Sequence, residues 1–154
     1  MKNALFVIDI QNEYSPKGGL PVLNFEHIIS SINQIDTDKY DLVISVRHVN
    51  ETGLFSNNWN ISYPNNYKLN YDYEIIKQTA DSFDVKNLAI LLSETNIDSI
   101  DICGMMTQNC VTYTALSASQ LGFEVRVLSD FCTTIDQTVN TIALRALQTK
   151  VTVI

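Results

Sequence analysis

The sequence predicts an α/β protein: a single-domain, doubly wound parallel six-stranded sheet of order 3-2-1-4-5-6 with helices on both faces. Two observations carry this. Short β-rich runs alternate with helical patterns along the whole chain, the order expected of a parallel sheet covered on both sides. And 154 residues, 45% of them hydrophobic and 18% charged, suit one compact unit able to bury a core without staples.

Strands are expected at about 3–9, 42–47, 73–77, 99–104, 124–129 and 151–154. Between the first two, Phe25, Ile28, Ile29, Ile32 and Ile35 recur at helical spacing behind Asn24, a plausible cap. Leu88, Leu91 and Leu92 do the same after Asp84. A third helix is expected from about Gln108 to Leu121, stopping at Gly122, which can adopt a left-handed cap. A fourth covers roughly 137–148, with Val139, Ile142, Ala143, Ala146 and Leu147 facing inward. The stretch from Asn50 to Asp72 has no periodicity and reads as a long ordered loop, a kind that is usually functional.

Ten basic against seventeen acidic residues give a net charge of −7, and the basic residues do not cluster. That excludes the electrostatic footprint of a nucleic-acid or anionic-membrane binder. Cys103, Cys110 and Cys132 form an odd set without paired short spacing, against a disulfide framework or zinc ribbon and in favour of a reducing compartment. The apolar run Ala4 to Ile8 is too short for a signal or a membrane span, so a cytoplasmic location is expected.

Chemistry concentrates at three places. Cys110 lies in GMMTQNCVTYTA, Gly104 to Ala115, where an apolar strand turns through a polar corner into a helix. Free backbone N–H groups and the dipole at a helix start favour a thiolate and can hold an oxyanion, although a free cysteine is more often a small buried hydrophobe. Asp9 ends the first strand, with Gln11 and Asn12 just beyond; a capping or turn carboxylate is the plainer reading. In the order 3-2-1-4-5-6, Asp9 and Cys110 flank the switch crevice where open parallel sheets bind ligands. Lys77 ends the third strand, where lysines are usually solvated, but beside a thiol it would stabilise the thiolate.

Together, ALFVIDIQNEYSPKGGLPV (Ala4 to Val22), IIKQTADSF (Ile75 to Phe83) and GMMTQNCVTYTALSASQLGFEVRVLSD (Gly104 to Asp130) resemble the isochorismatase-like cysteine hydrolases. That group includes nicotinamidases and N-carbamoylsarcosine amidohydrolases. The resemblance implies an Asp9, Lys77, Cys110 triad, a cis peptide between Met105 and Met106, and an oxyanion hole from the N–H groups of Met106 and Cys110. It implies amide or ureide hydrolysis through a thioester acyl-enzyme, with Asp9 moving the proton. A catalytically silent small-molecule-binding member of the same fold is the competing class. A redox sensor would need a thiol close to Cys110, and Cys103 on the preceding strand is expected to point away.

The chain departs from the nicotinamidase pattern of one aspartate and two histidines on the second strand and its loop. VISVRHVNETG, Val43 to Gly53, has His48 alone, and His27 falls on a helix elsewhere. Arg47 and His48 look like the strand end of the non-metal members, so no metal and no cofactor are expected; as a plainer reading, His48 is a hydrogen-bonded strand-end residue. Gln11, Tyr14, Trp59 and Tyr113, with Phe55, are the candidates for lining the substrate pocket, the aromatics by stacking on a flat molecule. A homo-oligomer is expected, a neighbouring subunit completing the pocket of a chain with a short C-terminus.

Overall fold

A computed structural model describes residues 1–154. Six strands form one parallel sheet in the order β3-β2-β1-β4-β5-β6: β1 Asn3–Ile8, β2 Leu42–His48, β3 Tyr73–Lys77, β4 Ser99–Met105, β5 Glu124–Thr133 and β6 Thr152–Val153. The helices are α1 Phe25–Asn33, α2 Asn58–Ile61, α3 Lys86–Glu94, α4 Thr112–Gln120 and α5 Gln137–Leu147. None is long and apolar enough to cross a membrane.

The central strands dictate the layering. Every residue of β4 and residues 4–8 of β1 are buried, so both sheet faces must be covered, which parallel strands require because their crossovers lay helices across them. α1 buries Phe25, Ile28, Ile29 and Ile32, the stripe its spacing predicts. Asn24 precedes it in the left-handed conformation without a side-chain cap bond, so it bends the entry instead of capping it.

Three differences from expectation have local causes. The third helix does not begin as an α-helix at Gln108: Thr107–Val111 form a π-turn, with the Val111 N–H reaching the Met106 carbonyl, and α4 continues from it. β5 extends past residue 129 to Thr133, because its pairing with β4 is interrupted between Ile102 and Gly104 and resumes at Gly104 with Cys132. The long loop after β2 contains α2, whose four residues are too few to show a periodicity.

Register determines which residues meet. Ile8 pairs with Val46 on one side and Gly104 on the other, so Asp9 emerges at the level of Met105. His48 pairs directly with Lys77, which puts both on one sheet face. Gly104 makes this possible: at φ +119 it occupies a region closed to L side chains, and an added Cβ would lie 2.1 Å from the Ile8 carbonyl oxygen. Gly104→Ala is therefore expected to force β1 from β4 and cost at least about 3 kcal/mol, read as a fall in the urea midpoint. A loss below about 1 kcal/mol would mean that the strands do not approach this closely.

Candidate active site

Asp9 sits one residue past β1 with φ 55, an unusual left-handed conformation that its short polar side chain tolerates. Its N–H still bonds the Val46 carbonyl at 2.9 Å, so the backbone turns away only after its last sheet contact. The carboxylate is fully buried, and so is the ammonium of Lys77 it faces at 3.0 Å.

That ammonium has three N–H donors and three acceptors: Asp9 Oδ2 at 3.0 Å, His48 Nδ1 at 3.0 Å and Cys110 Sγ at 3.2 Å. The second carboxylate oxygen, Asp9 Oδ1, is buried without a partner. A buried anionic acceptor left open is costly unless something is meant to bond it. Cys110 is in the π-turn and only 2% exposed. The Met105–Met106 peptide is cis, and no backbone carbonyl accepts from the Met106 N–H beside it.

The thiol departs from the expectation of a lowered pKa at a helix start. Burial and the Asp9 carboxylate push the Cys110 thiol up to about 12, with Lys77 acting in the opposite direction. Ionising the thiol while Asp9 is charged would leave an extra negative charge in a dry site. Passing its proton to Asp9 would leave the net charge unchanged. His48 is held neutral, its pKa lowered by burial and then by the Lys77 charge.

Asp9, His48 and Cys110 offer potential metal-ligand atoms within 4.8 Å of one another. One such atom of each, Asp9 Oδ2, His48 Nδ1 and Cys110 Sγ, already accepts from the Lys77 ammonium. The remaining ring nitrogen of His48 is bound to the Asn50 side chain at 2.8 Å, and His27 is exposed on α1. A metal ion bound by these atoms would compete with the Lys77 ammonium.

Around the cluster, Gln11 acts as a strut. Its amide donates to the carbonyls of His48 (2.9 Å) and Ile61 (3.0 Å) and accepts from the His48 N–H (2.8 Å), which leaves it little capacity for a ligand. Tyr14 is buried edge-on against Phe55 at 5.1 Å, and Phe55 in turn lies 5.1 Å from the His48 ring. Burial, Asp9 and Cys110 all raise the Tyr14 hydroxyl pKa, as expected of a phenol facing the site. Trp59 and Tyr113 lie outside this buried group, 48% and 54% exposed. Trp59 lines a surface cleft with Asn12, Ser15 and Lys17. Arg47 turns away: Glu74 holds it by two hydrogen bonds, the Ile61 carbonyl by a third, and Tyr63 lies beneath it.

Glu13 is the residue that sequence reasoning missed. Its buried carboxylate accepts from the N–H groups of Gly19 (2.6 Å) and Phe55 (2.6 Å) and from the Asn60 amide (2.7 Å). It fastens the turn at Gly19 to the segment carrying Phe55 and Asn60. No local signal marks it, because two of these partners lie more than forty positions away.

If Asp9 takes the thiol proton internally, labelling of Cys110 by iodoacetamide is expected to be flat between roughly pH 6.5 and 10, where direct ionisation of a thiol gives about tenfold per pH unit below its pKa. Burial slows the reaction without altering that shape. A sigmoid centred near 8.5 would show that Asp9 does not take the proton.

A family model described as "Isochorismatase domain" matches residues 3–154. The chain is 28% identical to an uncharacterized isochorismatase family protein of Bacillus subtilis, YddQ, over 87% of this chain and 79% of that protein. It is 27% identical to a nicotinamidase of Acinetobacter baylyi, over 86% and 82% respectively. Among solved structures, an isochorismatase-like hydrolase from Alkaliphilus metalliredigens superposes with a TM-score of 0.90 at 23% identity, covering 100% of this chain and 94% of the other. A pyrazinamidase of Pyrococcus horikoshii in complex with zinc gives 0.84 at 24%, covering 100% and 99%.

Proposed function

The chain belongs to the isochorismatase family of hydrolases, and on that premise we propose that it cleaves a C–N bond of a small neutral amide or ureide through a Cys110 thioester. The observation that carries this reading is the Lys77 ammonium bridging Asp9 Oδ2 and Cys110 Sγ while Asp9 Oδ1 is left buried and unpartnered. A base, a nucleophile and the cation that stabilises both anionic forms are within one hydrogen-bond network.

In this reading Asp9 Oδ1 takes the thiol proton as Sγ attacks the carbonyl carbon, and the carbonyl π electrons move to oxygen. The N–H groups of Met106 and Cys110 receive that oxyanion, a preorganised contact typically worth about 3 kcal/mol per donor. Collapse breaks the C–N bond, and Asp9 returns the proton to the departing nitrogen. A water then loses its proton to Asp9, attacks the thioester, and releases the acid as the proton returns to sulfur.

A neutral substrate is favoured because the nearby cations are committed. Lys77 has all its N–H groups engaged, and Arg47 is neutralised by Glu74. The open group of the triad is an acceptor, which an amide or ureide N–H can satisfy. The nicotinamidase and the pyrazinamidase among its likenesses support amide chemistry. With Asp9, Lys77 and Cys110 at most 2% exposed, entry requires the residues that cover them to move.

Screening neutral carboxamides and ureides, with mass spectrometry of the quenched protein, tests the proposal. A turned-over substrate should leave its acyl mass on Cys110, and Cys110→Ala and Cys110→Ser should lose at least about a thousandfold in kcat. Full turnover by those variants would overturn the proposal. Binding with neither acylation nor product would identify a silent member of the family.

A further inference from the structure

His48 has no part in the proton transfers above, yet the Lys77 ammonium is bound to it as closely as to Asp9, at 3.0 Å. An ammonium has only donors, so the Nδ1 facing it must be unprotonated. The hydrogen then resides on Nε2, which donates to Asn50 Oδ1 at 2.8 Å. Asn50 is itself fastened: its Nδ2 donates to the Leu54 carbonyl at 3.0 Å, and its N–H donates to the Phe55 carbonyl at 2.8 Å. An unbroken set of contacts therefore runs from Cys110 through Lys77, His48 and Asn50 to Leu54 and Phe55.

We propose that His48 is a positioning residue: a neutral acceptor, locked in one tautomer by Asn50, that fixes the Lys77 ammonium so that its third N–H points at the Cys110 sulfur. The inference rests on the thioester reading above and extends it to a residue outside the triad. A flexible four-carbon side chain carrying a buried charge needs every donor satisfied to hold one rotamer. Asp9 satisfies one donor and His48 a second, and the sulfur receives what remains. The acceptor also has to be uncharged. Asp9 and Lys77 already balance, and a second carboxylate at this position would leave the site negative and oppose thiolate formation.

The charged groups facing the imidazole are Lys77 from β3 and Asp9 after β1; Asn50, Phe55 and the Thr79 backbone are neutral. Both burial and Lys77 act to keep the ring unprotonated, so the contact persists as pH falls below the ordinary histidine value of about 6.5. Once the ring is protonated, it repels Lys77 and the arrangement is lost.

The test is the plateau rate of Cys110 labelling in wild type, His48→Leu and His48→Gln, with labelling of the core cysteines Cys103 and Cys132 as the check on folding. Leucine removes the acceptor; glutamine restores one without a titrating group. The inference expects the plateau to fall at least about tenfold in His48→Leu, to stay within about threefold of wild type in His48→Gln, and Cys103 and Cys132 to remain protected in both. In nitrogen-15 NMR of the wild type, His48 should show Nδ1 bare and Nε2 protonated. A plateau unchanged in His48→Leu, an equal fall in both variants, or the opposite tautomer would overturn the inference with the thioester reading intact. If wild-type Cys110 has no plateau, the thioester reading fails, and this inference fails with it.

Discussion

A lysine ammonium with no access to water must find anionic or lone-pair partners on every side, and meeting that demand for Lys77 organises one end of this protein. Removing one partner of a buried ion pair typically costs about 3–5 kcal/mol, so Asp9 is tied to Lys77 by stability as well as by any chemistry. Asp9 removes the charge, His48 supplies a neutral acceptor, and the Cys110 sulfur takes the last donor. The same economy leaves Asp9 Oδ1 open and the thiol protonated at rest, which is the condition for a proton transfer that creates no new charge.

The sheet delivers these groups because parallel register carries adjacent strand ends to one level. Pairing of Ile8 with Val46 and Gly104, and of His48 with Lys77, brings four separate segments of chain within hydrogen-bond reach. Gly104 lets β1 and β4 approach without a side chain between them. Two polar side chains just after β1 tie distant segments together: Gln11 binds the end of β2 to the long loop, and Glu13 binds the Gly19 turn to the segment carrying Phe55.

Much of this architecture was legible in the sequence. Buried strands and amphipathic helices leave periodic signals, and the right-handed crossover rule reduces the possible strand orders to few, so the order 3-2-1-4-5-6 could be read before any coordinates. The strand order already placed Asp9 and Cys110 at one crevice, but adding Lys77 to them came from a family resemblance, since spacings of 68 and 33 residues carry no geometric message. What could not be read depends on burial and on contacts distant in sequence. A helix start and a nearby lysine argue for a lowered thiol pKa, but desolvation and Asp9 outweigh them once Cys110 is enclosed. Glu13 and Asn50 gain significance only when the loop folds back, and Trp59 and Tyr113, aromatic in a promising region, prove to be exposed.

The central claim is that Cys110 rests as a thiol whose proton is held in place by burial and by the Asp9 charge. Thiolate absorbance near 240 nm, titrated in wild type and in Asp9→Asn with the Cys110→Ala spectrum subtracted from each, tests it most directly. Wild type should show no Cys110 thiolate up to roughly pH 10, whereas Asp9→Asn, with the opposing charge removed and Lys77 remaining, should ionise at clearly lower pH. A full thiolate signal in wild type near neutral pH, or no change on substituting Asp9, would contradict the account.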